Sequence, residues 1–138
     1  MRNKLKSILL IDDDYATNFL HKLIIRDAAC AEHVEVAVNA EKALAFLQSN
    51  VENKLIPDII FVDVNMPGMS GWQFLQEYEK LDPSLKSKVV IIMPSASMHP
   101  EEDVQRAAQY KDLTGCRSKP LTDEMLQEIV MEHFPEQM

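Results

Sequence analysis

Cysteine is scarce: 138 residues hold only Cys30 and Cys116. Two cysteines make no disulfide framework, and with no C-x-x-C pair they offer no zinc site. A reduced, intracellular setting is the expectation that follows. Positive charge is also short. Lys and Arg number 14 against 22 Asp and Glu, a formal net charge of −8. Coating nucleic acid needs surplus cations to neutralise phosphates, so no nucleic-acid partner is expected. Long apolar runs are missing as well. No stretch approaches the roughly 18 apolar residues of a membrane span. The basic start Met1 to Lys6 leads into Ile8 to Ile11 and then into three aspartates, not into a signal-peptide core. A soluble, cytoplasmic protein with no membrane contact is expected. No internal repeat, low-complexity tract or linker interrupts the chain. Residues 1–138 read as one domain with no output domain, long enough to bury a sizeable core.

What is present is a regular alternation of short apolar runs with amphipathic stretches. Ile8-Leu9-Leu10-Ile11 is a continuous apolar run, as expected of a strand covered on both faces. Phe19, Leu20, Leu23 and Ile24 recur at helical spacing within residues 15–29. Val34, Val36 and Val38 alternate with Glu35 and Ala37, which predicts a second strand. Asn39 suits the N-cap of a helix carrying Ala43, Leu44, Phe46 and Leu47. The polar segment Gln48 to Lys54 and Pro57 close that unit. Ile59-Ile60-Phe61-Val62 is a third buried strand, ending at Asp63. Ser70 with Gln73 reads as a capping box for a helix using Phe74, Leu75, Tyr78 and Leu81. Val89 to Met93 is the clearest strand. His99-Pro100-Glu101-Glu102-Asp103 opens a fourth helix, with proline and acids suited to its first turn. Residues 114–118 predict a short last strand, and Thr122 caps a fifth helix through Met125, Ile129 and Val130. Five βα units imply an α/β fold: a doubly wound parallel sheet with helices on both faces.

In such a sheet, ligands gather beyond the carboxyl ends of the strands. Strand one ends in Asp12-Asp13-Asp14, strand three in Asp63 and strand four in Ser95, with Ser97 nearby. Strand five is followed by Lys119-Pro120. Carboxylates gathered at one rim repel each other, by roughly 4 kcal/mol per pair at about 4 Å and an effective dielectric near 20. A divalent cation resolves the conflict. Oxygen donors without a nearby His or Cys favour Mg²⁺. A carboxylate beside Mg²⁺, a lysine and a hydroxyl is equipped to attack a phosphoryl group and become an aspartyl-phosphate.

These residues resemble the receiver domain of two-component response regulators, over roughly residues 5–133. The matching segments are Ile8 to Asp14, Asp58 to Gly71, Ser95-Ala96 and Lys119-Pro120-Leu121. Asp13 to Asp63 spans 50 residues, Asp63 to Ser95 spans 32 and Ser95 to Lys119 spans 24, in step with the βα units. The resemblance implies the flavodoxin-like strand order 2-1-3-4-5. It implies that Asp63 is the phosphoacceptor, served by a histidine kinase or histidine phosphotransfer protein. Asp13 would ligate Mg²⁺ directly, Asp12 largely through water, and Asn65 through its backbone carbonyl. Ser95 would take the switch hydroxyl position, and Lys119 would contact the phosphate across a cis bond to Pro120. A downstream protein target is implied, with room for a phosphorylation-dependent dimer through the helix-four, strand-five and helix-five face. Two departures stand out. Cys116 occupies the position where the family often has an aromatic, and Pro94 precedes Ser95.

Other readings carry less. Asp14 is expected as a helix N-cap. His21, His33, His99 and His133 show no ligand spacing and are expected on the surface. Met66, Met69, Met93 and Met98 are expected to pack ordinarily near the rim. Trp72 is either partly buried or a docking contact, and both cysteines are expected as small buried residues. Asp12-x-Asp14 also resembles the nucleophile motif of haloacid-dehalogenase-type phosphatases, although Tyr15 stands soon after it where that family needs a small or hydroxyl residue. A receiver-like scaffold that is never phosphorylated is the remaining alternative.

Overall fold

The computed structural model describes residues 4–49, 56–95 and 100–137. Readings that fall on residues 1–3, on 50–55, or on Ala96, Ser97, Met98 and His99 lie outside the described residues. In chain order the elements are β1 (Leu5–Ile11), α1 (Tyr15–Ala28), β2 (Ala31–Ala37), α2 (Ala40–Ser49), β3 (Ile59–Asp63), α3 (Gly71–Glu79), β4 (Val89–Met93), α4 (Pro100–Ala107), β5 (Gly115–Cys116) and α5 (Asp123–His133). The five strands form one parallel sheet in the order β2-β1-β3-β4-β5. No described helix is long and apolar enough to cross a membrane.

Ile8 to Ile11 of β1, Ile59 to Val62 of β3 and Val89 to Met93 of β4 are apolar because each face of the sheet is covered there. Successive strand residues point to opposite faces. Leu9, Ile11, Ile60, Val62, Val90 and Ile92 accordingly pack with α2 and α3 residues such as Leu47, Phe74 and Tyr78. Ile8, Leu10, Ile59, Phe61, Val89, Ile91 and Met93 pack on the other side with Ile25 of α1 and Leu126, Ile129 and Val130 of α5. Register ties the rim together: Ile11 pairs with Ala37 and Val62, and Asp63 pairs with Met93.

Helix starts follow the sequence closely. Asp14 accepts from the Thr17 backbone N–H as the α1 N-cap, and Asn39 accepts from Lys42 N at 2.7 Å ahead of α2. Ser70 and Gln73 form the expected capping box, and Thr122 accepts from Met125 N. The chain differs elsewhere. β2 begins at Ala31 and ends before Val38, and a 3-10 turn at Pro83–Leu85 precedes β4. α1 turns a different stripe inward from the one its apolar residues suggest. Asn18, His21 and Ile25 are buried, whereas Phe19 is 57% and Leu20 45% exposed. Tyr15, Phe19, Val36 and Val38 instead line an outer groove beside Asp13.

Of the histidines, His21 is buried, contrary to the surface expectation, because α1 lays it against the segment after β5. Cys30 is buried, and burial pushes its thiol pKa up to about 11. Cys116 is only half-buried, since the two-residue β5 forms the sheet edge. Met66 and Met93 are core residues, and Met69 packs against the core from the side. Trp72 is buried, stacked on Tyr110 with centroids 5.6 Å apart, and the Arg106 guanidinium lies 4.6 Å from its ring centroid.

Candidate functional site

Three carboxylates meet at the carboxyl end of the sheet. β1 delivers Asp12 and Asp13 just past its last residue, and β3 delivers Asp63 as its own last residue. Asp12 and Asp63 are buried, while Asp13 is exposed. One oxygen from each of the three lies within 4.8 Å of those of the others.

Backbone contacts fix these acids. Asp12 N donates to Ala37 O at 3.1 Å, and Asp12 Oδ1 accepts from Asp14 N at 2.9 Å. The Asn18 amide donates to the Asp12 carbonyl at 2.9 Å. Asn65 N approaches Asp63 Oδ1 at 3.4 Å. Behind Asp63 the chain makes a tight return. Gly68 has φ +78°, a left-handed conformation open to glycine. Gly71 N donates to Val64 O at 2.8 Å and opens α3 directly against the Asp63 backbone. A Cβ on Gly71 would collide with the Asp63 carbonyl oxygen and approach Val64 Cα to 3.0 Å.

Lys119 reaches the acids from the far side of the sheet. Past β5, Arg117 N donates to Ile92 O and Lys119 N to Pro94 O at 2.9 Å, so this segment tracks β4 to the rim. The Lys119 ammonium lies 2.5 Å from Asp12 Oδ2 and 3.0 Å from Asp63 Oδ1. The Lys119–Pro120 bond is cis, as the resemblance implies. Ser95 lies on the same rim, two residues beyond Met93, the register partner of Asp63; its side chain is exposed.

The electrostatics are unbalanced. Among the described residues, the Lys119 ammonium is paired with Asp12 and Asp63 in a cluster of three carboxylates. Burial raises the Asp63 pKa; Lys119 pulls it down and Asp12 pushes it up, with a net rise. Burial alone would lower the Lys119 pKa, but hydrogen bonds and attraction from Asp12 and Asp63 outweigh it and leave it raised. The donor set is all oxygen. The histidine nearby, His21, already uses its Nε2 to accept from Leu121 N at 3.1 Å. Carboxylates with charge in excess of their lysine fit a hard divalent cation such as Mg²⁺.

The Asp63 shift has a consequence for stability. An acid whose pKa is raised by folding is favoured in its neutral form. Its contribution is fully present below the ordinary value of 3.8 and is lost as pH rises through the folded value. Asp63→Asn, permanently neutral, is therefore expected to be more stable than wild type at pH 7 in a chelator. The gap should narrow as the pH falls towards 3.8. Calorimetry across that range checks it, and an Asn variant less stable at pH 7 contradicts it.

Asp12, Asp13, Asp63 and Lys119 are thus brought together, with Ser95 and Asn65 on the same rim. Sequence reasoning missed Asn18 and His21, which brace the site from α1. Their signal was the stripe Asn18, His21 and Ile25 at helical spacing, obscured by the more apolar Phe19 and Leu20.

Comparison with known proteins identifies the family. The response regulator receiver domain family matches residues 8–131. Response regulator Rcp1 of Synechocystis sp. is 31% identical over 126 residues, covering 88% of this chain and 82% of that protein. Two-component response regulator ORR1 of Oryza sativa subsp. japonica is 35% identical over 91 residues, covering 64% of this chain and 39% of that protein. The chain therefore spans well under half the length of the rice relative. A solved two-component response regulator from Cytophaga hutchinsonii superposes with a TM-score of 0.84 at 29% identity, over 96% of this chain and 99% of that one. Family match and strand order agree, and the chain belongs to the response regulator receiver domains of two-component systems.

Proposed function

We propose that this chain is a phosphoacceptor that takes a phosphoryl group on Asp63 and signals by phosphorylation-dependent protein binding. The observation that carries the reading is the convergence of Asp12, Asp13 and Asp63 with the Lys119 ammonium held between two of them. The donor is a histidine kinase or histidine phosphotransfer protein. An Asp63 oxygen attacks phosphorus and a new P–O bond forms. The P–N bond to the donor's imidazole breaks, and its electron pair leaves with the imidazole. Little else is required of the protein beyond positioning and charge stabilisation.

Each residue has a distinct part. Asp12, Asp13 and Asp63, with the Asn65 backbone carbonyl, would hold Mg²⁺. Bound there, the cation supplies charge neutralisation for the phosphoryl oxygens. Lys119 moves its ammonium from the Asp63 carboxylate to a phosphoryl oxygen as negative charge accumulates there. Ser95, exposed at the rim, donates its hydroxyl to another. The chain then acts on no external substrate and assists only its own phosphorylation and dephosphorylation. Cys116 offers no aromatic ring to swing inward. The output is instead carried by α4, whose Arg106, with the neighbouring Tyr110, rests on Trp72. The phosphatase alternative loses its second carboxylate, because Asp14 is engaged as the α1 cap.

Incubation with acetyl phosphate and Mg²⁺ tests this directly, read by intact mass. Wild type is expected to gain one phosphoryl group, and Asp63→Asn none. Excess chelator is expected to stop the reaction. Equal labelling of wild type and Asp63→Asn would overturn the assignment.

A further inference from the structure

The Lys119–Asp12 pair is braced at both ends by one helix. α1 buries two polar side chains one turn apart, Asn18 at 5% and His21 at 3% exposure. Burying polar groups is costly unless they are hydrogen-bonded, so their partners are informative. Asn18 Nδ2 donates to the carbonyl of Asp12, the acid that Lys119 touches. His21 Nε2 accepts from the backbone N–H of Leu121, two residues after Lys119 and 100 positions along the chain from His21. On its other side the lysine segment hangs from β4, through Lys119 N to Pro94 O at 2.9 Å. The segment bearing Lys119 is therefore held between a strand and α1. The two α1 side chains line a cavity of about 10 Å³ with Asp12, Asp63 and Lys119. Asn18 Oδ1 is buried without a hydrogen-bond partner among the described residues.

We propose that His21 is a positioning residue for phosphoryl transfer, setting the reach of Lys119 through its hydrogen bond to the Leu121 backbone. The bond requires a neutral ring with the proton on Nδ1 and a lone pair on Nε2. Burial lowers the His21 pKa against the pull of Asp12, in keeping with that form. An apolar residue of similar size at position 21 would fill the space and leave Leu121 N–H without an acceptor. The lysine segment would then be free to drift from Asp63, and a small misplacement of a charge-stabilising group slows the chemistry more than it loosens the fold. A glutamine keeps an acceptor oxygen and is expected to restore part of the function.

The inference rests on the reading of Asp63 as phosphoacceptor, and the experiment separates the two. Wild type, His21→Leu and His21→Gln are labelled with acetyl phosphate and Mg²⁺, and the thermal midpoint of each is measured. His21→Leu is expected to label roughly tenfold more slowly, with His21→Gln recovering part of that loss. A His21→Leu rate equal to wild type, or a glutamine no better than leucine, overturns the inference. Failure of wild type itself to label overturns the phosphoacceptor reading instead. Should His21→Leu not fold, ¹⁵N NMR of the wild-type protein decides. A through-hydrogen-bond coupling between Leu121 N and His21 Nε2 is expected, and a proton on Nε2 with no coupling contradicts it.

Discussion

Lys119→Met is expected to slow labelling by acetyl phosphate by about 100- to 1,000-fold, the usual loss when a preorganised group facing developing charge is removed. Methionine retains most of the side-chain volume and removes the charge. The ammonium now sits between Asp12 and Asp63, both buried, at 2.5 and 3.0 Å. Without it those carboxylates face each other uncompensated. Breaking a fully buried pair costs about 3–5 kcal/mol, but Lys119 is partly solvated and burial already holds the Asp63 pKa above its ordinary value. A smaller loss, on the order of 1–3 kcal/mol, is expected at neutral pH without divalent cation. Mg²⁺ is expected to recover stability in this variant while leaving the labelling rate low. Urea unfolding with and without Mg²⁺, beside time-resolved intact mass, separates the two effects. Labelling at the wild-type rate would remove Lys119 from the chemistry.

Gly71→Ala is expected to destabilise the protein, against its helix propensity. Gly71 is the first residue of α3, and alanine is favoured over glycine within helices by about 1 kcal/mol. Close packing predicts the opposite sign. The added Cβ meets backbone, the Asp63 carbonyl and Val64 Cα, and none of these can turn aside like a side-chain tip. A loss of about 3 kcal/mol follows from overpacking of this kind. Labelling should fall as well, because relief of the clash displaces the phosphoacceptor's own peptide unit. Denaturant midpoints give the sign, and a more stable alanine variant would show that the helix can retreat from β3 at little cost.

The strands were legible because both faces of the sheet are covered, which leaves β3 and β4 apolar at every position before the rim. The caps were legible because Asp14, Ser70 and Thr122 act through local backbone hydrogen bonds that depend on few neighbours. The acidic rim was legible for a topological reason: parallel strands bring all their carboxyl ends to one edge. The buried face of α1 was not. Phe19 and Leu20 are the more apolar choice, yet the helix faces the backbone of Asp12 and Leu121, where hydrogen-bonding side chains are needed. Hydropathy ranks Asn18 and His21 as surface residues, and only the tertiary partners reverse that. β2 was placed late for a similar reason. As an edge strand its residues are half exposed, so hydropathy marks neither of its ends.

Residue 63 is proposed to receive the phosphoryl group. The most direct measurement is to label the protein with acetyl phosphate and Mg²⁺, reduce the acyl phosphate with borohydride, and locate the reduced residue by peptide mass spectrometry. Reduction at Asp63 alone, dependent on Mg²⁺, is expected. Reduction at Asp12 or Asp13, or at no aspartate in protein that has gained phosphate, would contradict it.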